Sequence, residues 1–425
     1  MKKKTAKVIS LALALVLLVA ALSSCVLRLD DDEYMTREEV EALLESTMRG
    51  DVTIENSPNY NITIEGEANR NLAAAAKAVL SAVNVYAKMD IGYSNGSVSS
   101  GTAAGAGVIY KLDKARGDAI IITNYHVVYD SRSITGNKIS DDIVLRLYGH
   151  EDTPTGEHPE YDIPAKFIGG SMTEDLAVLK VEASRVLAES SAVAVTFADS
   201  DAVSILDTAI AIGNPSSNGI SATLGVINVD SEYVAISSSD GYTAQTQRLF
   251  RIDTAVNSGN SGGGLFNDKG ELIGIVNAKS SSSSVENVGY AIPGNLAKFV
   301  VDNILYYCDG KDAEVGRKYM LGITLGSKDL AAIYDEETGR VHKTESVTVA
   351  SISATAPEGV CEVGDVLRKI TIDGKEYTIT RMYQVIDCMF AVRPESTLVM
   401  TFESADGTLR EEAIDVSKMT ASVIN

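Results

Sequence analysis

Five consecutive residues, Gly259-Asn260-Ser261-Gly262-Gly263, set one serine between glycines. Glycines on both sides suit a tight turn with positive φ, which presents the serine Oγ and lets a substrate carbonyl come close. The backbone N–H groups of Gly259 and Ser261 are then candidate oxyanion donors, each worth about 2.7–4 kcal/mol of barrier. A serine alcohol is inert without a base, and the chain has only 4 histidines. His126 closes the apolar run Ile121-Ile122-Thr123-Asn124-Tyr125-His126 and is expected at the end of a strand. His150 and His158 lie in the polar stretch Gly149 to Glu160 and share no further metal ligand there. His342 stands beside Lys343 in the C-terminal region. The base in turn needs an acid that fixes its tautomer and stabilises the imidazolium. Asp175, directly before Leu176-Ala177-Val178-Leu179, is the candidate that can be buried at a strand edge; Asp142, Asp199 and Asp207 are rivals. Such chemistry is acyl transfer and calls for no metal and no cofactor.

The elements that must position these residues are short. Apolar, β-branched runs recur between Gly, Ser, Asn and Asp clusters: Ala119–Thr123, Ile143–Leu147, Ala177–Val181, Thr208–Ile212, Leu272–Val276 and Val288–Ile292. Many short strands with turn signals between them predict an all-β barrel or sandwich. Ser280–Ser284 reads as a surface loop. Leu296–Tyr307 carries helical periodicity at Leu296, Phe299, Val300, Ile304 and Tyr307. Beyond Asp309-Gly310 a third region of short strands is expected, with hairpin turns at Asp373-Gly374 and Asp406-Gly407.

The order His126, Asp175, Ser261 matches chymotrypsin-like proteases, and the surrounding strings resemble the HtrA/DegP family of extracytoplasmic serine proteases. The resemblance rests on Thr123–Val128, Asp175–Val181 and Gly259–Gly263. Gly105–Ile109, Ala211–Pro215, Ile252–Ala255 and Gly289–Pro293 add to it. It covers about residues 78–305. The fold it implies is mainly β, a chymotrypsin-like double β-barrel over residues 71–312. Residues 313–425 resemble a PDZ domain. Leu321-Gly322-Ile323 looks like its carboxylate-binding loop, and Ala356–Leu367 like its "GV…GDVL" run.

The function implied is an endopeptidase that cleaves misfolded or damaged envelope proteins, with the PDZ domain aiding recognition and a homotrimer as the assembly. By the same resemblance, Ala255 lies at the base of the specificity pocket, so small apolar residues before the scissile bond are preferred over Lys or Arg. Asn277, Ala278 and Lys279 are expected to pair with substrate by strand addition. Three positions depart from the family pattern. Ser258 and Gly264 stand where prolines are usual, and Tyr125 where Asn is frequent; Gly264 is expected to loosen the oxyanion loop. Two other readings share the fold: a non-proteolytic, chaperone-like binding protein, and a regulatory protease with one dedicated substrate.

The remaining features concern place and partners. Lys2, Lys3, Lys4 and Lys7 precede an apolar run from Val8 to Leu22. Fifteen helical residues span about 22 Å, short of the ~30 Å hydrocarbon core, which fits a signal peptide over 1–24. Leu22-Ser23-Ser24-Cys25 resembles a bacterial lipobox, with Cys25 lipidated and the mature protein held on the outer face of the cell membrane. Residues 25–70 read as an acidic stalk, because 26–70 hold 12 acids and 4 bases. Thr36–Met48 within it has the capping-box pattern of a short helix. Across the 425 residues, 45% are apolar and the net charge is −21. The apolar fraction excludes a mostly disordered chain. The acidity argues against a nucleic-acid partner. Four cysteines are too few for a disulfide scaffold, and no required disulfide is expected.

Overall fold

The computed structural model describes residues 74–150, 158–215, 219–240, 244–277, 288–308, 316–357 and 359–424. The signal peptide, Cys25, the stalk, and the domain boundaries expected at 70/71 and 312/313 therefore lie outside the described residues. A helical segment over 74–79 leads into the first barrel.

Twelve strands form two closed barrels. The first holds β1 (Ala82–Gly92), β2 (Val98–Asp113), β3 (Asp118–Thr123), β4 (Asp142–Leu147), β5 (Ile163–Ser171) and β6 (Leu176–Val181), in the order β1-β2-β3-β6-β5-β4. The second holds β7 (Thr208–Gly213), β8 (Ser221–Ser237), β9 (Ala244–Ile252), β10 (Gly264–Phe266), β11 (Leu272–Asn277) and β12 (Gly289–Pro293), in the order β10-β11-β12-β9-β8-β7. Closure leaves neither sheet with a free edge.

Burial on both faces explains why the strands read as unbroken apolar runs. Ile121, Ala177 and Leu179 point into the first barrel with Val83, Val85 and Leu145. Their neighbours Ile122, Leu176 and Val178 point the other way. There they meet Ile212, Phe266, Ile275 and Ile292 of the second barrel. Helix α2 (Gly294–Cys308) seals this seam with Leu296, Val300, Val301 and Ile304. Burying one such side chain contributes roughly 1.5–3 kcal/mol.

The expected strands are present, but several run longer than expected. The β7 and β12 ladders engage only part of the β8–β9 hairpin. Its outer part, 232–237 against 244–249, pairs only within itself and overhangs the barrel. Residues 316–424 form a separate core around Val347, Leu367, Ile370, Met400 and Phe402. Its strands are β13 (Gly316–Met320), β14 (Ile323–Asp335), β15 (Arg340–Ile352), β16 (Val366–Ile372), β17 (Lys375–Thr378), β18 (Leu398–Glu403), β19 (Leu409–Ile414) and β20 (Thr420–Ile424). The main sheet runs β14-β15-β16-β18-β19, with helix α3 (Met382–Cys388) beside β14. The β14 and β15 strands have 13 residues each, so this region is not made only of short strands. The Asp373-Gly374 turn joins β16 to β17 with both residues at positive φ, 50° and 80°. Cys361 and Cys388 are free thiols, Cys388 buried and Cys361 half-buried.

Polar groups tie this region to the barrels. Asn303 of α2 is fully buried and donates Nδ2 to Arg317 O at 2.7 Å and Phe390 O at 2.6 Å. Arg248 of β9 forms a short ion pair with Asp387 of α3, and the Tyr383 ring lies 3.9 Å from its guanidinium. Lys343 and Arg381 both reach Asp230 of β8, at 2.6 and 3.2 Å.

Candidate active site

The β3–β6 register brings base and acid together. Thr123 pairs with Ala177, so the same antiparallel register sets Asp175 opposite Tyr125. The β3 strand stops at Thr123, and Tyr125–Val128 forms a single helical turn, α1. His126 is therefore on that turn and not at the end of a strand as expected. Asn124 does not cap α1 with its side chain; its Nδ2 donates to Asp175 O at 2.8 Å, beside Tyr125 N at 3.1 Å. The Asp175 carboxylate then faces His126 twice. Oδ1 accepts from His126 N at 3.0 Å, and Oδ2 lies 2.7 Å from Nδ1. Asp175 is fully buried, while the His126 side chain is about one-fifth exposed. The Tyr125 ring packs against Tyr129 and Phe167, and burial pushes its hydroxyl up to about 12.

The serine turn docks on the same corner. Ala106 of β2 donates to Ser261 O at 2.8 Å, and Thr123 Oγ1 donates to Ala106 O at 2.7 Å. Gly262 has φ 83°, and a Cβ there would sit 2.3 Å from both Ala106 O and Thr123 Oγ1. Only glycine admits that approach. Gly259 also needs the left-handed region, with φ 99°. Among the described residues, neither Gly259 N–H nor Ser261 N–H has a protein acceptor. Both residues are buried. Gly264 is not loosely held. It pairs with Ile212 and Ile275 on its two sides, and a Cβ would lie 2.4 Å from the Phe266 ring.

The other candidates divide. Asp142 is exposed at the start of β4, Asp199 accepts from Asn295 Nδ2 at 2.7 Å, and Asp207 pairs with Arg340 at 3.2 Å. None of the three bonds to His126. His150 stacks on Tyr161, and His158 pairs with Glu160 at 2.9 Å. No group of three or more His, Cys, Asp or Glu side chains gathers as for a metal among the described residues. Ala255 is exposed, on the irregular stretch 253–258 between β9 and the serine turn. Its carbonyl accepts from Thr223 Oγ1 at 3.0 Å. Asn277 is buried at the end of β11, paired with Tyr290; Ala278 and Lys279 lie outside the described residues. Leu321, Gly322 and Ile323 lead into β14. Gly322 has φ 69°, and its carbonyl accepts from Ser353 N at 2.8 Å.

Three contacts at the acid had no signal in the sequence. Ser239 Oγ donates to Asp175 Oδ1 at 3.2 Å, Gln245 Nε2 to Met172 O at 3.1 Å, and Gln247 Nε2 to Thr173 O. Behind that loop is a cavity of about 200 Å³ lined by Glu174, Gln247, Arg248, Lys318, Tyr383 and Asp387 among others. Burial pushes the Glu174 carboxyl up against the pull of the Ser171 hydroxyl. Burial likewise pushes the Lys318 amine down, opposed by Glu174 and Asp387.

Comparison with known proteins agrees with this geometry. The trypsin-like peptidase domain matches residues 105–275. The serine protease Do-like HtrA of Lactococcus lactis subsp. cremoris is 30% identical over 335 residues, 76% of this chain and 72% of that protein. The chain belongs to the HtrA family of serine proteases. Its Bacillus subtilis relative, also a serine protease Do-like HtrA, is 32% identical over 247 residues, 58% of this chain and 48% of that protein. A probable periplasmic serine endoprotease, DegP-like, of Rhizobium meliloti is 35% identical over 218 residues, 50% and 36% of the two chains. This HtrA chain is thus a serine endopeptidase on a trypsin-like, mainly β fold.

Proposed function

We propose that Ser261 attacks the substrate carbonyl, that His126 takes its proton and later protonates the leaving amine, and that Asp175 holds His126. The observation that carries this reading is the 2.7 Å contact of His126 Nδ1 with a fully buried Asp175 carboxylate. A carboxylate at Nδ1 holds the proton there and leaves Nε2 as the nitrogen for the serine. The free N–H groups of Gly259 and Ser261 serve the oxyanion. Cleavage proceeds through an acyl-enzyme: the Ser261 Oγ–carbonyl bond forms, the C–N bond breaks, and water then releases the acid.

The substrates are misfolded or damaged envelope proteins, and the place of action is outside the cytoplasm. The periplasmic relatives support that location, and lipidation at Cys25 would anchor the protein to the membrane. Residues 313–425 act as a PDZ domain. Among the described residues the β14 strand pairs only with β15 and lies beside α3, which supports a groove for an added peptide strand above Leu321–Ile323. The assembly is a homotrimer. The test is casein digestion with wild type and Ser261→Ala: the variant folds and leaves casein intact. Cleavage by Ser261→Ala would remove Ser261 from the nucleophile's role. Loss of the membrane fraction in Cys25→Ser tests the anchor.

A further inference from the structure

We propose that Ser239, Gln245 and Gln247 are positioning residues that clamp the catalytic acid from the opposite barrel. The proposal rests on the reading of Asp175 as that acid. Asp175 has φ 54°, in the left-handed region that few non-glycine residues occupy. The loop that carries it, residues 172–175, belongs to the first barrel. Asn124, Tyr125 and His126 bond Asp175 from within that barrel, and a further set of donors reaches the loop from the second. Gln245 and Gln247 are two apart on β9, so they share one face of the strand. They reach the successive carbonyls of Met172 and Thr173. These carbonyls lie between β5 and β6, outside any ladder, and need donor partners of this kind. Gln247 is itself buried and is oriented by Asn277 Nδ2, 3.4 Å from its Oε1. Ser239, at the tip of the same hairpin, donates directly to Asp175 Oδ1.

These contacts also account for the length of the hairpin. The barrel engages β8 and β9 only near their inner ends, and all three donors lie on the overhang or its tip. The overhang is a strut between barrels: its glutamines set the acid loop, and its serine sets the carboxylate that orients His126.

The test uses the full chain and kinetics on a peptide substrate. Ser239→Ala, and separately Gln245→Glu with Gln247→Glu, which keep side-chain shape but remove the donors, lower kcat by about tenfold or more. KM stays within twofold, because no substrate contact is removed. Ser239→Thr keeps the hydroxyl and retains wild-type kcat. Thermal midpoints are read in parallel; Ser239 sits on a surface turn, so Ser239→Ala keeps the wild-type midpoint. Wild-type kcat in both variants overturns the clamp, as does a loss in Ser239→Thr equal to that in Ser239→Ala. Asp175→Asn separates the two readings. If it loses about 10⁴ in kcat while the clamp variants lose nothing, only the clamp is wrong. If Asp175→Asn is fully active, the assignment of the acid itself falls.

Discussion

Replacing Asp387 with alanine strands a buried cation, and the cost can be worked from its surroundings. The Arg248 side chain is 4% exposed and that of Asp387 8%, so solvent screens the pair little. Arg248 Nε already has no hydrogen-bond partner, and once the carboxylate is gone the guanidinium keeps the Tyr383 ring at 3.9 Å and the attraction of Asp201. Breaking a buried pair from one side costs about 3–5 kcal/mol, because the remaining charge cannot leave. A desolvated cation–π contact retains about 2 kcal/mol, which sets the expectation near the lower end, about 3 kcal/mol. The reverse change is cheaper. Burial pushes the Asp387 carboxyl up against the pull of Arg248 and Lys318, so in Arg248→Met uptake of a proton can relieve the buried charge. Arginine has no such escape. The double variant Arg248→Met/Asp387→Leu removes both charges and is expected within about 1 kcal/mol of wild type, or above it. The assay is urea unfolding of the four proteins followed by circular dichroism, since the chain has no tryptophan. An Asp387→Ala variant within about 0.5 kcal/mol of wild type would refute the reasoning. So would a double variant as unstable as the two single losses combined.

Two further expectations follow from the same neighbourhood. Glu174 is ordinarily a carboxyl of pKa 4.5 and burial raises it, so the folded state binds its proton more tightly than the unfolded state. Its contribution is fully present below about pH 4.5 and is lost as pH rises through the folded value, so Glu174→Gln gains stability relative to wild type between about pH 4 and pH 7. Thermal melts at the two pH values check this, and a gap that shrinks toward pH 7 contradicts it. Gly262→Ala places a Cβ 2.3 Å from Ala106 O at φ 83°, so the serine turn must move; labelling of Ser261 by a fluorophosphonate slows by about a hundredfold or more. Labelling at the wild-type rate rules this out.

The parts of the site that were legible in the sequence are those whose physics is local. Gly259 and Gly262 announced a turn that needs positive φ, and both have it, at 99° and 83°. Asp373-Gly374 announced a hairpin for the same reason. The paired strands were legible from apolar content, though not from alternation. Ile120-Ile121-Ile122 shows no period of two because the outward side is also covered, with Ile122 buried in the seam and Ile120 partly buried against it. What failed was set by contacts made elsewhere. Nothing in Tyr125–Val128 says that the strand stops at Thr123; the hydrogen bonds of Asn124 and Tyr125 to Asp175 O, 51 and 50 residues on, form that turn. The chain-breaking character of Gly264 is cancelled by Phe266 and two flanking strands. The length of β8 was hidden because Ser221–Ser237 alternates polar and apolar residues only loosely, as an overhang exposed to water permits.

The acid shows why a catalytic motif is an incomplete description of a catalytic site. The string Asp175–Val181 carries the reacting carboxylate and the strand behind it. Register alone then sets Asp175 opposite Tyr125, and the contact with His126 follows. Asn124, Tyr125 and His126 then bond Asp175 from its own barrel. A further set of donors, amides and a hydroxyl some 60 to 75 residues later, reaches the acid loop from the other barrel. Arg248 follows Gln247 on β9 and is bound to Asp387 of α3, while Asp230 of β8 is bound to Lys343 and Arg381. The strut that reaches the acid at its tip is therefore fastened along its length to the C-terminal region. A displacement of α3 would act on β9 one residue away from a donor to the acid loop, which makes the polar joint a direct link between that region and the catalytic carboxylate's support.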